Sequence, residues 1–369
     1  MRKVAIASYG TTKFSMNNAR TESVLAQSAV DLFTRCKDMD RNLVDSVLVS
    51  TNSNEKYMSP ILSEMVGIRP NAAHTVESMC SSGTSAIVSA YSYIAAGLAD
   101  VVLVSGAEIH DSPGRILEWD DSRGEFKHPI YWASIFTNSY KQRHFITDKD
   151  LAVIPVKNHM HASFNPDALS EKTCTIQDVM DSKRLTDDMR LLDCSRPCTG
   201  GASILLASGE KARQITDIPV WITGIGQKTT SAGFAKNPPS DMLESTRIAA
   251  RNALQMSGHD ARKVDVAEVH DAFSVCEPMA LESIGLAGQG RGIMLARETY
   301  ETKSFKINPR GGLIGAGHPL GATGVAQAAE IARQLQNAAG SRQVDSPHVG
   351  LVHNMAAAAT SSTILVLEK

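Results

Sequence analysis

Two similar stretches decide the fold: VDSVLVS at residues 44–50 and VDVAEVH at residues 264–270. Each follows a segment with the apolar periodicity of an amphipathic helix and then a short polar link. Residues 21–50 and 244–270 therefore predict the same unit of helix, link and strand. Because helices and strands alternate in this way along the chain, we predict the α/β class built from parallel units.

A second pair of matching stretches supports a duplication. Residues 99–107 and 348–356 both resemble a strand that follows a helix rich in small residues. The same elements in the same order predict two duplicated α/β halves, residues 1–213 and 214–369. Residues 112–190 interrupt the first half with more charged, histidine and aromatic residues and few strand-like runs, which predicts an inserted loop domain.

Composition excludes several classes of function. Lys and Arg total 37 against 39 Asp and Glu, a net charge of -2 that offers no general surface for nucleic acid. No apolar run approaches the ~18 residues that span a bilayer, so we expect no membrane segment. The six cysteines are scattered through a large chain, which favours free thiols in a reducing compartment and predicts a cytoplasmic location. Cys194 and Cys198 are four positions apart without a second suitably spaced pair, so we predict structural thiols and no metal site.

A cysteine stands where a helix is predicted to begin. The segment ESMCSSGTSA, residues 77–86, places Cys80 after a strand-like stretch and before small residues that open a helix. Free backbone N–H groups and the positive end of the helix dipole favour a thiolate there, and hence nucleophilic attack. The alternative is a buried, inert cysteine beside a helix cap, and this segment alone leaves both interpretations open.

A glycine-rich segment presents one imidazole. The stretch NPRGGLIGAGHPLGATG, residues 308–324, requires several tight turns around His318. Its Gly-x-Gly does not indicate a dinucleotide site, because no hydrophobic strand immediately precedes it and His-Pro occupies the turn. A histidine held rigidly in this way beside a cysteine is the arrangement that activates a thiol.

Three motifs in this order resemble the active-site loops of the thiolase superfamily: CSSG at 80–83, HDAF at 270–273 and GHPLGATG at 317–324. The His-Asp form of the second motif is similar to the sterol-carrier-protein-like and archaeal acetyl-CoA acetyltransferase branch. The resemblance implies a five-layered αβαβα fold and coenzyme A thioesters as substrates, with no bound cofactor. It also implies a homodimer or homotetramer, with a complex with hydroxymethylglutaryl-CoA synthase and an OB-fold zinc-ribbon protein as a further expectation.

Roles follow from the resemblance residue by residue. Cys80 would take the acyl group from a thioester, and His318 would deprotonate it. His270 would support the oxyanion hole. Substrate-binding positions would be Gly317, Asn354 and Ala356. The implied reaction is the reversible Claisen condensation of two acetyl-CoA molecules to acetoacetyl-CoA by a ping-pong mechanism.

The C-terminal motif departs from the thiolase pattern. Many thiolases have a Cys-x-Gly-Gly-Gly-like loop whose cysteine removes the α-proton of the second acetyl-CoA, whereas this chain has HNMAAAAT at 353–360. The other known position for that thiol, inside the His-Asp-x-Phe loop, holds Ala272. His353 is the candidate for the acid/base role, and Cys276 is the alternative. A scaffold or lipid-carrier subunit with an impaired second half-reaction, or a C-acyltransferase with a different acceptor, also fits this loop.

Overall fold

A computed structural model describes residues 2–36, 39–111, 123–236 and 242–369. Within these ranges the strands are β1 (Val4–Thr11), β2 (Ser46–Ser50), β3 (Ala72–Val76), β4 (Val101–Glu108), β5 (Gly200–Ser208), β6 (Val220–Thr229), β7 (Val266–Glu268), β8 (Val349–Ala356) and β9 (Ser361–Glu368). The helices are α1 (Thr21–Arg35), α2 (Met58–Met65), α3 (Ser82–Ala95), α4 (Pro129–His144), α5 (Asp148–Leu151), α6 (Val153–Ser163), α7 (Ile176–Asp181), α8 (Gly209–Ile215), α9 (Glu244–Ser257), α10 (Cys276–Ile284), α11 (Gly292–Glu301), α12 (Gly312–Ala316) and α13 (Leu320–Leu335). None of these helices is both long and apolar enough to span a lipid bilayer.

The described strands form one nine-stranded sheet in the order β3-β2-β4-β5-β1-β6-β9-β8-β7. The α/β prediction is confirmed, but the expected parallel pairing holds only for β3-β2-β4 and for β7-β8. The central strands pair antiparallel. In the second half the physical reason is a tight connection: four residues join β8 to β9, a length that permits only a hairpin.

The two sides of the sheet repeat the same local hydrogen bonds. The Oδ2 atom of Asp45 accepts from the N–H groups of Asp100 and Val101 at 2.7 and 3.0 Å. Likewise, Oδ2 of Asp265 accepts from the N–H groups of His348 and Val349 at 2.8 and 3.0 Å. The aspartate of each repeated Val-Asp pair, just before β2 or β7, thus bonds to the start of the neighbouring strand, β4 or β8.

Helices α3 and α13 pack so closely that glycine is required between them. A Cβ atom on Gly83 would lie 2.8 Å from the backbone nitrogen of Val325. One on Gly324 would lie 2.6 Å from the backbone nitrogen of Thr84. Because a side chain at either position would push the helices apart, these glycines bring the two helix N-termini side by side.

The predicted insertion is largely helical where it is described. It carries α4 to α7, while its residues 112–122 lie outside the described residues. Helix α6 lies directly against the glycine-rich segment, since a Cβ atom on Gly315 would be 2.4 Å from the carbonyl oxygen of Asn158. The halves 1–213 and 214–369, with the insertion at 112–190, remain our proposed domain boundaries.

Candidate active site

Cys80 lies in a tight turn between β3 and α3. The preceding residue, Met79, has a positive φ of 49°, and residues Met79–Ser81 form a single 3₁₀ turn. Two hydrogen bonds hold this turn: Ser82 Oγ accepts from Ser78 N–H at 2.8 Å, and Asn52 Nδ2 donates to the Met79 carbonyl at 3.1 Å. The backbone therefore fixes the thiol at the beginning of α3, as the sequence predicts.

The hydrogen bonds of His318 determine which ring nitrogen carries its proton. Its Nδ1 lies 2.7 Å from Thr323 Oγ1, and that hydroxyl donates to the Pro319 carbonyl at 3.0 Å. A carbonyl only accepts, so the hydroxyl proton is committed to Pro319 and Nδ1 must supply its own N–H. The Nε2 atom therefore holds a lone pair and can accept a proton.

His270 has the opposite tautomer. Gln327 Nε2 donates to the His353 carbonyl at 3.2 Å, so the Gln327 side-chain oxygen must be the atom that accepts from Asn354 Nδ2 at 2.9 Å. The same Asn354 amide donates to His270 Nδ1 at 3.1 Å. Since Nδ1 accepts, the proton of neutral His270 resides on Nε2, which is a hydrogen-bond donor.

These three side chains meet at the end of a cavity. One ring nitrogen of His270, one of His318 and the Cys80 Sγ lie within 4.8 Å of one another. The two rings are nearly perpendicular, with centroids 5.3 Å apart. The adjoining cavity has a volume of about 280 Å³ and a largely apolar wall. The other lining residues are Met79, His128, Pro129, Ile130, Trp132, Leu185, Cys194, Ser195, Pro197, Ala272, Phe273, Leu320, Met355 and Ala356, Ala357, Ala358, Ala359.

The resting charges differ from the sequence expectation of a thiolate. Burial raises the pKa of Cys80 to about 12, and the negative charges of Glu108 and Glu77 add to the effect. Burial together with the positive charge of Arg310 lowers the pKa of His318 to about 3. Burial also lowers the pKa of His270 well below its ordinary value. The site therefore rests as a neutral thiol beside two neutral imidazoles.

Glu108 is a residue of this site that the sequence analysis missed. Its Oε2 accepts from the N–H groups of Asn52 at 2.9 Å and Gly321 at 3.2 Å. Asn52 in turn holds the Met79 carbonyl, so Glu108 connects the Cys80 turn to the first turn of α13. A buried acid that ends the apolar strand β4 is the signal that could have identified it.

His353 and Cys276 do not fit the acid/base role expected of them. His353 Nδ1 lies 3.4 Å from the N–H of His270, its Nε2 lies 3.1 Å from Thr246 Oγ1, and burial lowers its pKa to about 3. Cys276 is buried at the start of α10. Neither lines the described cavity, so neither is placed to reach a substrate there.

The three expected substrate-binding residues are also separated. Ala356 lines the cavity. Asn354 lies behind His270 and orients it, and Gly317 faces Cys198, whose Sγ would be 2.7 Å from a Cβ atom at that position. Only Ala356 of the three is therefore placed to contact a substrate in the described cavity, and Asn354 becomes a positioning residue.

The alanine run keeps a backbone that usually requires glycine. Ala357, Ala358 and Ala359 have positive φ values of 46°, 61° and 58°. This left-handed conformation costs roughly 1–2 kcal/mol for each residue with a Cβ atom. All three residues line the cavity, so this loop contributes an apolar part of its wall.

The described residues offer one cluster with the donor atoms for a metal ion: Cys80, His270 and His318. Cys194 and Cys198 belong to no such cluster in the described ranges. A neutral thiol between an imidazole lone pair and an imidazole N–H is suited to another chemistry, the transfer of an acyl group through the sulfur. The fold and site thus define a class, a cysteine-dependent acyl-transfer protein.

Comparison with known proteins identifies the family. The family described as "Thiolase, N-terminal domain" matches residues 4–117, and "Thiolase C-terminal domain-like" matches residues 226–369. The acetyl-CoA acetyltransferase of Methanothermobacter thermautotrophicus is 30% identical over 384 residues and 100% of both chains. This chain belongs to the thiolase superfamily, and it is a thiolase-family acyltransferase.

Solved structures agree on the fold. The acetyl-CoA acetyltransferase of Syntrophomonas wolfei has a TM-score of 0.78 at 16% identity, with 100% of this chain and 99% of that chain covered. A structure described as "Ltp2-ChsH2(DUF35) aldolase" has a TM-score of 0.86 at 20% identity, with 99% and 97% covered. The thiolase fold predicted from the motifs is confirmed.

Proposed function

We propose that this chain is an acetyl-CoA C-acetyltransferase that joins two acetyl-CoA molecules reversibly into acetoacetyl-CoA. The observation that carries the proposal is the meeting of Cys80, His270 and His318 within 4.8 Å in the wall of a largely apolar cavity. Coenzyme A thioesters are the substrates, in keeping with the superfamily, and the reaction proceeds through an acetyl group on Cys80.

The tautomers support a division of labour between the two histidines. The Nε2 lone pair of His318 takes the proton of Cys80 as the sulfur attacks the thioester carbonyl. The Nε2–H of His270 donates to the carbonyl oxygen as it gains negative charge. The two rings differ because Thr323 accepts a hydrogen bond from Nδ1 of His318, whereas Asn354 donates one to Nδ1 of His270.

A specific observation favours a second candidate, a C-acyltransferase with an acceptor other than acetyl-CoA. The methyl groups of Ala356, Ala357, Ala358 and Ala359 line the cavity where many thiolases have glycines. A bulkier apolar wall changes which acceptor can approach the acyl-cysteine. If the wall excluded every acceptor, the second half-reaction would be lost, as in a scaffold or lipid-carrier subunit.

Oligomeric state, partners and location belong to the proposal. We infer a cytoplasmic homodimer or homotetramer. The fold match to an aldolase whose name includes a DUF35 component gives a precedent for an associated protein. We extend the proposal to a complex with hydroxymethylglutaryl-CoA synthase and an OB-fold zinc-ribbon protein, which would draw an unfavourable condensation forward.

Two measurements on the purified chain test the proposal. Intact mass after mixing with acetyl-CoA should show one added acetyl group, and peptide mapping should place it on Cys80. Addition of coenzyme A and acetoacetyl-CoA should then yield acetyl-CoA. An acetyl adduct without acetoacetyl-CoA synthesis or cleavage would favour the second candidate, and the absence of any adduct would refute both.

The tautomer of His270 gives a separate prediction. Asn354→Asp replaces the amide N–H donor with a carboxylate, which only accepts. Nδ1 of His270 must then carry the proton, so its Nε2 has a lone pair in place of the N–H that would donate to the thioester oxygen. Loss of one oxyanion-hole donor lowers the rate constant by about 10²–10³-fold, and we expect that decrease in acetyl transfer. Alkylation of Cys80 by iodoacetamide has no thioester oxygen to stabilise, so its rate should stay unchanged. Equal loss in both reactions would contradict this role for His270.

A further inference from the structure

The condensation needs a group that removes the α-proton of the second acetyl-CoA, and the structure limits the choices. Five residues lining the described cavity carry a thiol or an imidazole: Cys80, His128, Cys194, His270 and His318. Cys80 carries the acyl group at that stage, and the Nε2 of His318 has already received its proton. His270 uses its Nδ1 lone pair to accept from Asn354, so its neutral ring has no other lone pair.

His128 is excluded by the same reasoning. It caps the N-terminus of α4, where its Nδ1 accepts from the N–H of Ile130 at 3.2 Å. Its neutral ring therefore carries the proton on Nε2. The thiol of Cys194 is the group that remains. Its S–H donates to the Arg190 carbonyl at 3.4 Å, and burial with the negative charge of Asp193 raises its pKa to about 12, so it rests as a neutral thiol like Cys80.

Cys194 lies beside the loop that contains Ala272. Cys194 pairs with Phe273 in an isolated antiparallel bridge, and the N–H of Ser195 donates to the Ala272 carbonyl at 2.8 Å. The segment is held there by Ser274, whose Oγ donates to Asp193 Oδ1 at 2.7 Å. Ala272 is the place inside the His-Asp-x-Phe loop where relatives can carry a cysteine, and Cys194 is bridged to the residue beside it.

An aromatic pair forms part of the same wall. Trp132 packs edge-to-face against Phe273 with ring centroids 5.1 Å apart, and both residues line the cavity. The indole nitrogen of Trp132 is buried away from the cavity surface, so the pair contributes an apolar wall beside Cys194.

We propose that Cys194 is the second acid/base of the reaction, an assignment that rests on the proposed acetyl transfer. In the first half-reaction its S–H bond breaks, and the proton goes to the departing coenzyme A thiolate. The Cys194 thiolate then forms a new S–H bond with the α-proton of acetyl-CoA, and the C–H electron pair becomes an enolate. The enolate carbon attacks the acetyl carbonyl, Cys80 leaves as a thiolate, and the proton held by His318 returns to it.

The test separates the two half-reactions. Cys194→Ala should still reach full acetylation of Cys80, because water can protonate the departing coenzyme A thiolate. Exchange of the acetyl-CoA methyl protons with deuterated solvent should fall by about 10²–10⁴-fold, the usual contribution of a general base. Cys194→Ser keeps the size of the side chain and should show the same loss, which guards against a packing effect. Cys276→Ala removes a buried thiol outside the cavity and should exchange like the unaltered chain.

Each outcome has a distinct meaning. Full exchange in both Cys194 variants, or loss of exchange in Cys276→Ala with Cys80 still acetylated, would overturn the assignment to Cys194 and leave the acyl transfer intact. An unaltered chain that acetylates but never exchanges would also overturn it. Failure of the unaltered chain to acetylate would instead refute the proposed function itself.

Discussion

Cys80→Ala should abolish acetyl-enzyme formation and lower thiolysis of acetoacetyl-CoA by at least about 10⁴-fold, since it removes the sulfur on which the acyl intermediate is proposed to form. The fold should persist, because Cys80 is only half-buried and faces the cavity. The measurements are intact mass after exposure to acetyl-CoA and the rate of acetoacetyl-CoA cleavage.

A matched variant makes the result interpretable. Cys174→Ala removes another half-buried thiol that does not line the active-site cavity, and it should retain full activity. Thermal unfolding of both variants should stay close to that of the unaltered chain. Cleavage by Cys80→Ala at more than roughly a few per cent of normal would show that the acyl group does not pass through this sulfur.

The repeated strands show what the sequence could predict about the fold. The motifs at residues 44–50 and 264–270 contain β2 and β7, because apolar runs next to a capped polar link favour a buried strand. Strand β7 ends at Glu268, before the motif does. The N–H of the next residue, Val269, donates to Asn308 Oδ1 at 2.7 Å and not to a neighbouring strand. The antiparallel direction of β5 depends on the path by which the chain returns from the insertion. Local sequence patterns do not predict that path.

The site was predictable where a motif fixes both residue type and backbone path. Cys80, His270 and His318 are brought together as the resemblance implies. His353 does not line the described cavity, and adjacent strand residues point to opposite faces. Its side chain reaches Thr246 on α9, whereas that of Asn354 reaches Gln327 on α13.

The ionisation state of the Cys80 thiol is the property of the site that the sequence predicts least well. The segment around Cys80 displays the helix start that favours a thiolate, but it does not display Glu108, which lies near it only after folding. Burial and that carboxylate oppose ionisation, and they prevail over the helix dipole. Cys194 was interpreted from the sequence as a structural thiol for a related reason, since only the bridge to Phe273 brings it to the cavity.

The protonation states of Cys80 and His318 predict the second large effect, which is a slower and more pH-dependent acetylation in His318→Ala. The reactive form is a neutral thiol beside a neutral imidazole. The pKa of His318 is about 3 and that of Cys80 about 12, so this form persists between those values. Acetylation of the unaltered chain should therefore be independent of pH from about 5 to 9, without the rise near 6.5 that an ordinary histidine would give.

Removal of the base changes the slope of that profile as well as its height. In His318→Ala the thiol must ionise on its own, and below a pKa of about 12 the thiolate fraction grows tenfold with each pH unit. We expect the acetylation rate to fall about 10²–10⁴-fold near neutrality and to recover steadily with rising pH. Thr323→Val keeps the imidazole but removes the hydroxyl that orients it and bonds to the Pro319 carbonyl, so it should lower the rate without producing this slope. A flat profile in His318→Ala, or a rise near 6.5 in the unaltered chain, would show that His318 does not take the proton from Cys80 in the way the geometry indicates.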